Sequence, residues 1–343
     1  MSSERTLGAS ATGSLDATRG PDSGDDTIDG GRHGDTRLEL GSMLGEYRLE
    51  QRLGAGAMGE VFLARRGDAP PLALKVLPEV HGNRLYRFKR EFRALAGVRH
   101  ENLIALDELI VLPDARAFFT MEHVAGVPFV DYVRGETRRG QLPNLTRLER
   151  ALRQLVEGVR FLHRAGYVHR DLKPSNVLVT DEGRVVVLDF GLVRESIMGM
   201  PTLTREGQVL GTPAYMAPEQ SGRANVGPPA DWYAVGAMLF ECLTGRRPHE
   251  AGTIPSLLLA KRSVPDPAKH VFGLPEPLRQ LCMRLLSPDA DARPSEQELI
   301  EAFSDGSGPL RLALARTPFV GRTHERDRLH AALELVRRQR VPV

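Results

Sequence analysis

Lysine is scarce in this chain. Of 46 cationic side chains in 343 residues, five are lysine (Lys75, Lys89, Lys173, Lys261 and Lys269) and 41 are arginine. Arginine serves wherever a positive charge suffices, so each lysine marks a place to ask whether a compact ammonium is needed instead of a planar fork. Cysteine is rarer still. Cys242 and Cys282 sit in apolar stretches, in no CxxC or Cys/His cluster, which argues against a disulfide framework and a structural zinc site. A reducing intracellular setting fits such a chain. Long apolar runs are also missing: the longest, Tyr233 to Phe240, falls short of the roughly 18 to 20 residues of a membrane span, and no apolar signal core follows Met1. The net charge is only +2, so nothing demands a nucleic-acid partner. What is present, 41% hydrophobic and 26% charged residues, is an ordinary globular composition. The length suits about two domains at roughly 150 residues each. The expectation is a cytoplasmic protein with no membrane span in this segment and no nucleic-acid binding.

Residues 1–46 hold nine acidic and four basic side chains, nine glycines and no aromatic residue, too little apolar area to offset the entropy of ordering. They read as a disordered acidic tail, either simply solvated or used for docking, with order beginning near Tyr47. From there short alternating runs at 47–53, 60–64 and 72–77 predict a small antiparallel sheet, with residues 66–71 as the turn between the last two. Phe88, Phe92 and Leu95 predict a helix over 86–96, and strand pattern resumes at 103–112 and 117–121. Beyond Val124 helices dominate. Leu148, Leu152, Leu155, Val159 and Leu162 form one apolar stripe, and residues 232–243 are apolar nearly all round, as in a buried helix. The chain therefore reads as one unit over 47–303, β-rich at about 47–124 and mainly helical at about 125–303. Residues 304–316 have a linker's composition. Residues 317–343 carry Leu329, Leu333 and Val336 on one helical face, and eight arginines lie between Arg311 and the end.

The candidate chemistry begins with Gly54, Gly56, Gly59 and Val61, a G-x-G-x-x-G-x-V run. The same glycine spacing occurs in dinucleotide folds, but there the third glycine opens a helix, and here it opens Val61-Phe62-Leu63-Ala64 and another strand. A glycine-rich hairpin brings backbone N–H groups to phosphates, or is a flexible hairpin without a ligand. Lys75 follows among apolar neighbours, 21 residues past Gly54, as either a solvated strand residue or a phosphate-binding ammonium. Glu91, 16 residues later on the predicted helix, is a candidate partner for it or a surface residue. The densest run is His169-Arg170-Asp171-Leu172-Lys173-Pro174-Ser175-Asn176, with Asp189-Phe190-Gly191 beyond it. An Asp, an Asn and a second Asp can supply a base and two oxygen ligands for a hard cation.

In this order and at these intervals, the glycine run, Leu72-Ala73-Leu74-Lys75, Glu91, His169 to Asn176, Asp189-Phe190-Gly191 and Ala217-Pro218-Glu219 resemble the signature set of protein kinases. Ala217-Pro218-Glu219-Gln220 and Asp231-Trp232-Tyr233 have the style of bacterial eukaryotic-like serine/threonine protein kinases, and the likeness covers about residues 47–303. It implies an α+β, bilobal kinase-like fold with a small β-rich N-lobe carrying one helix and a larger, mainly helical C-lobe. The activity implied is transfer of the ATP γ-phosphate to Ser/Thr hydroxyls of proteins, with Mg²⁺ as cofactor and Mn²⁺ as a substitute, in bacterial signalling.

Residue by residue, the resemblance implies that Leu53, Gly54, Ala55, Gly56, Ala57, Met58, Gly59, Val61, Ala73, Lys75, Met121, Glu122 and Val124 line the ATP site. Met121 stands at the gatekeeper place and Glu122 and Val124 in the hinge. Lys75, held by Glu91, would contact the α- and β-phosphates, and Asp171 would accept the proton of the acceptor hydroxyl. Lys173 would neutralise the transferring group, and Asn176 and Asp189 would ligate the metal. Glu219 paired with Arg293, and Asp231 bracing the catalytic loop, are implied structural positions. Arg170 beside Asp171 resembles kinases switched by activation-loop phosphorylation, with Thr202 or Thr204 as autophosphorylation candidates, Ser196 a weaker one, and Thr212 contacting Asp171 and Lys173. Thr317-Pro318-Phe319-Val320-Gly321-Arg322 resembles the entry to ATPase or sensor modules fused to some bacterial kinases, although no G-x-x-x-x-G-K-[ST] follows within the chain. A scaffold without transfer would lack a motif residue, and none is missing. A small-molecule phosphotransferase would lack the Gly211 to Glu219 features, which are present.

Overall fold

The computed structural model describes residues 38–56, 59–78, 82–114, 116–189, 213–221 and 226–304. Ala57, Met58, Phe190, Gly191, Ser196, Thr202, Thr204, Gly211 and Thr212 lie outside the described residues, as do 1–37 and 305–343. The fold is α+β and two-lobed.

The first lobe is a six-stranded antiparallel sheet in the order β1-β2-β3-β4-β6-β5, built from β1 (Met43–Leu44), β2 (Tyr47–Gly56), β3 (Gly59–Arg65), β4 (Leu72–Val76), β5 (Leu106–Val111) and β6 (Ala117–Met121). Helix α1 (Asn83–Ala96) crosses one face. Its apolar stripe packs Phe88 and Phe92 on Phe119 of β6, with ring centroids 6.1 and 5.4 Å apart. Every residue of β6 is buried, as expected of a strand with both faces covered. Order begins earlier than the sequence pattern predicts. Met43 and Leu44 pair with Arg48 and Tyr47, and Leu44 is buried, so the end of the acidic stretch is a strand. Two residues with little periodicity give no pattern to read; the turn at Gly45, with φ +59, folds them back.

The second lobe contains β7 (Val127–Pro128), α2 (Phe129–Arg134), α3 (Leu145–Arg164), β8 (Val177–Val179), β9 (Val185–Val187), α4 (Pro229–Thr244), α5 (Ile254–Ala260), α6 (Glu276–Leu285) and α7 (Glu296–Ser304). The stripe read from Leu148 to Leu162 is the buried face of α3, which opens on Asn144, whose side chain accepts from the Arg147 N–H at 2.9 Å. α4 is buried nearly all round and stops at Gly245, φ +71.

The strand expected over 103–112 divides. Only 106–111 joins the sheet. Ahead of it, the Ile104 N–H donates to the Val187 carbonyl at 3.0 Å and the Val187 N–H to the Asn102 carbonyl at 2.9 Å. Residues 102–104 thus pair with β9 instead. The Asn102 side chain secures the junction by donating to the Val185 carbonyl at 2.8 Å. This pairing fixes β9 against the first lobe, immediately before Asp189.

Candidate active site

The glycine run lies on the β2–β3 hairpin. Its glycines are not equivalent. Gly59 has φ +109, and a Cβ there would stand 1.9 Å from the Val76 carbonyl oxygen on β4, so this position requires glycine for packing. At Gly54 and Gly56 a Cβ would meet nothing within 4 Å, which leaves room for something to approach the backbone. Strand register sets Lys75 opposite Val61 and Phe119, between β3 and β6. Its side chain is 4% exposed, and its ammonium meets Asp189 Oδ1 at 2.6 Å. Burying an ammonium is costly unless it is paired, and this carboxylate pairs it. Glu91 is half-buried on α1.

Around Asp171 the backbone is held by one carboxylate. Asp231, at the start of α4, is 1% exposed and accepts from the His169 and Arg170 N–H groups, both at 2.8 Å, and contacts His163 Nε2 at 2.8 Å. These bonds hold Arg170 at φ +62, a left-handed conformation that costs a non-glycine residue about 1–2 kcal/mol. The Arg170 carbonyl is held in turn by Gln220 Nε2 at 2.9 Å. Buried His169 accepts the Asp171 N–H at Nδ1, so its proton sits on Nε2 and is donated to the Leu188 carbonyl at 2.7 Å. One imidazole thereby spans the two segments that carry Asp171 and Asp189.

Asp171 Oδ2 accepts from Lys173 Nζ at 2.9 Å and from Asn176 Nδ2 at 3.1 Å, while the same Asn176 amide donates to the Asp171 carbonyl at 2.9 Å. This turns the Asn176 oxygen away from its donors. That oxygen and Asp189 Oδ2 are donors of the type a hard divalent cation prefers. Among the described residues no group of three or more His, Cys, Asp or Glu forms a metal site, so such an ion would draw its remaining ligands from phosphates and water. Asp189 itself has φ +48.

Met121 and Ala73 face each other across the β4–β6 pair, both buried, and Val61 is partly buried beside Lys75; Leu53 is exposed at the hairpin's base. After Met121 the Glu122 N–H is taken by the Ala105 carbonyl at 2.9 Å, and the Glu122 carboxylate by Arg184 at 2.6 and 3.1 Å. The Glu122 carbonyl and the Val124 N–H make no hydrogen bond among the described residues.

Glu219 and Arg293 form a bidentate pair at 2.6 and 2.8 Å, with the Arg293 side chain 1% exposed and donating also to the Pro229 and Ser287 carbonyls. No motif or spacing in the sequence gives a role to Gln220, Arg184 or Lys261. Lys261 is fully buried, and its burial pushes its pKa down to about 8. The scarcity of lysine was the one signal that could have found it.

The family model described as "Protein kinase domain" matches residues 47–303. Among curated relatives, the "Probable serine/threonine-protein kinase PkwA" of Thermomonospora curvata is 36% identical over 267 residues, covering 76% of this chain and 34% of its own length. The "DNA damage-responsive serine/threonine-protein kinase RqkA" of Deinococcus radiodurans is 37% identical over 270 residues, 75% of this chain and 39% of its own. The chain thus spans between a third and two fifths of the length of these two relatives. Among solved structures, the PknI kinase domain of Mycobacterium tuberculosis aligns with TM-score 0.60 and 23% identity over 79% of this chain and all of that one, a likeness of fold.

Proposed function

The chain belongs to the protein kinase family, and from that premise we propose that it transfers the γ-phosphate of ATP to serine or threonine hydroxyls of proteins. One observation carries the reading: Asp171 is joined to Lys173 and Asn176 while Asp189 holds Lys75, so base, cations and metal-ligand oxygens converge from three segments. The names of the relatives, all serine/threonine-protein kinases, support the acceptor class.

In this reading the backbone at Gly54, Ala55 and Gly56 covers the phosphates where no side chain intervenes. Lys75 holds the α- and β-phosphates, and Asp189 keeps its ammonium in place until they arrive. The Glu122 carbonyl and Val124 N–H are the acceptor and donor left for adenine, between Ala73 and Met121. Asp171, oriented by Lys173 and Asn176, takes the proton of the acceptor hydroxyl, and Lys173 balances charge on the transferring group. Asn176 Oδ1 and Asp189 Oδ2 would hold Mg²⁺, with Mn²⁺ as a substitute; when bound, the ion neutralises the phosphates and fixes their orientation. The chain's own contribution is positioning and electrostatics, since a loose phosphoryl-transfer transition state needs little covalent help.

The reading extends to autophosphorylation at Thr202 or Thr204, with the new phosphate paired to Arg170. It also extends to bacterial signalling from the cytoplasm; among the described residues no helix is long and apolar enough to cross a membrane. From its sequence alone, the segment from Thr317 is proposed to open a further ATPase or sensor module. The test is transfer of labelled γ-phosphate with Mg²⁺ to the protein itself and to a generic basic protein, beside Lys75→Met and Asp171→Asn. Label on serine or threonine, lost in both variants, is expected. Folded, nucleotide-binding protein without label would overturn the reading in favour of a scaffold.

A further inference from the structure

Arg184 stands at the turn between β8 and β9, and its side chain reaches the residue that follows β6. Nη1 and Nη2 donate to the two Glu122 carboxylate oxygens at 2.6 and 3.1 Å, while Nε donates to the Glu101 carbonyl at 2.8 Å. One guanidinium thus joins three segments distant in sequence.

The arginine is itself held from α3. Gln154 Nε2 donates to the Gly183 carbonyl at 2.9 Å, and Gln154 Oε1 accepts from the Val185 N–H at 3.1 Å, so both chain neighbours of Arg184 are tied to that helix. The Asn102 side-chain amide donates to the same Gln154 oxygen at 3.1 Å. Within the turn the Thr180 N–H donates to the Arg184 carbonyl at 3.0 Å. The fork therefore projects from a fixed base.

Glu122 is held at two points, its N–H by the Ala105 carbonyl at 2.9 Å and its carboxylate by Arg184. Packing does little on this side, where an open recess of about 340 Å³ is lined by Leu103, Ala105, Glu122 and Arg184 among others. The two side chains of the pair are 38% and 29% exposed, so it adds little to folding stability. What it fixes is direction, because a bidentate fork sets both the distance and the plane of the carboxylate.

We propose that Arg184 is a positioning residue for the nucleotide, holding Glu122 through its carboxylate so that the Glu122 carbonyl and the Val124 N–H keep the orientation adenine needs. A lysine would carry the charge, but a point charge sets no plane and does not reproduce three donors in one fork.

The inference deepens the protein-kinase reading and rests on its assignment of adenine to this segment. ADP binding is measured by titration calorimetry, beside γ-phosphate transfer from ATP, for the wild type, Arg184→Met, Arg184→Lys, Glu122→Ala and the double variant Arg184→Met/Glu122→Ala. Unfolding is followed for each. Arg184→Met is expected to raise the ADP Kd by at least about fivefold, or roughly 1 kcal/mol. Its unfolding midpoint should stay within about 4 °C of wild type, as for the loss of an exposed pair. Arg184→Lys should recover less than half of the lost affinity. The double variant should bind ADP no more than about twofold more weakly than the weaker single variant, because both substitutions remove one contact. Inorganic tripolyphosphate, which has no adenine, should inhibit transfer by the wild type and Arg184→Met alike.

An unchanged ADP Kd in Arg184→Met would overturn the inference, as would losses that multiply in the double variant, full recovery in Arg184→Lys, or an equal weakening of tripolyphosphate. A larger drop in the midpoint would make the role structural and overturn it too. Wild-type protein that binds ADP without transferring phosphate would overturn the kinase reading and leave the Kd comparison to decide this inference. Wild-type protein that binds no ADP would overturn both. Should Arg184→Met fail to fold, the Kd of Arg184→Lys decides, and a wild-type value there would overturn the inference.

Discussion

Replacing Asp231 by asparagine tests how the catalytic loop is held. The carboxylate uses Oδ2 for the His169 N–H and His163 Nε2 and Oδ1 for the Arg170 N–H, all at 2.8 Å. Asparagine keeps the shape but turns one oxygen into an NH₂ group, so in either orientation one backbone N–H faces another donor. Losing a hydrogen bond to a charged group costs about 1.5–3 kcal/mol, and leaving a buried donor unsatisfied costs about 1–3 kcal/mol. These overlap, and about 3 kcal/mol is the expected loss. At about 2–4 °C per kcal/mol for a fold of this size, the unfolding midpoint should fall by roughly 6–12 °C. Whichever N–H meets the new NH₂ group, that of His169 or that of Arg170, loses its bond, so the left-handed turn at Arg170, with φ +62, should loosen and carry Asp171 with it. A barrier raised by about 1.4 kcal/mol is tenfold in rate, so kcat should fall by at least that factor. With ATP at the hairpin and at Glu122 to Val124, as proposed above, its KM should stay within about threefold. Calorimetry and phosphoryl-transfer kinetics on purified protein read all three. A midpoint within 2 °C of wild type together with kcat within twofold would refute the argument that this carboxylate holds the loop.

Two further outcomes follow from the same reasoning. Gly59→Ala should destabilise by about 2 kcal/mol or more, because its Cβ collides with the Val76 carbonyl at a left-handed φ, whereas Gly54→Ala should leave stability within about 0.5 kcal/mol and act on ATP affinity alone. Equal denaturation midpoints for the two variants would sink the distinction. His249 is buried with an unpartnered Nε2 among the described residues, and burial beside Lys261 pushes its pKa down to about 4 from 6.5. The unfolded chain therefore binds a proton between pH 6.5 and 4 that the native protein does not, and stability falls as pH falls through that window. His249→Phe should flatten this part of the stability curve; an unchanged slope there would show that other groups produce it.

Much of the site was legible because kinase chemistry depends on residues close in sequence. Asp171, Lys173 and Asn176 lie within one eight-residue run and meet in one hydrogen-bonded cluster, and the hairpin glycines are local by necessity. Buried helices were legible as well, since the stripe on α3 and the continuous apolar face of α4 are patterns of composition. What could not be read were partners chosen by tertiary packing. The Lys75 ammonium meets Asp189, 114 residues away, a partner that no local spacing announces. Glu122 to Arg184, 62 residues apart, and Gln220 to Arg170, 50 apart, carry no periodic signal. Residues 102–104 have strand-like composition, and only the third dimension decides that they pair with β9 and not within the first sheet.

α4 explains why the loop at His169 to Asp171 and the segment at Tyr215 share one frame. Its pattern is that of a core helix, yet three of its residues interrupt the apolar surface at defined points. Asp231 holds the backbone of His169 and Arg170, Tyr233 lies between Lys261 and Arg293, and Glu241 takes the Tyr215 hydroxyl. A fourth, Gly236, lets α6 approach so closely that a Cβ would stand 2.6 Å from that of Leu285, which locks the helix in depth. The Asp231 and Glu241 carboxylates thus each hold a segment outside the helix while helix-to-helix packing supplies the rigidity. The loop that carries Asp171 and the segment that carries Tyr215 are fixed relative to each other because both are fastened to the same buried helix. A substitution that tilts α4 should therefore disturb the loop at His169 and Arg170 and the segment at Tyr215 together.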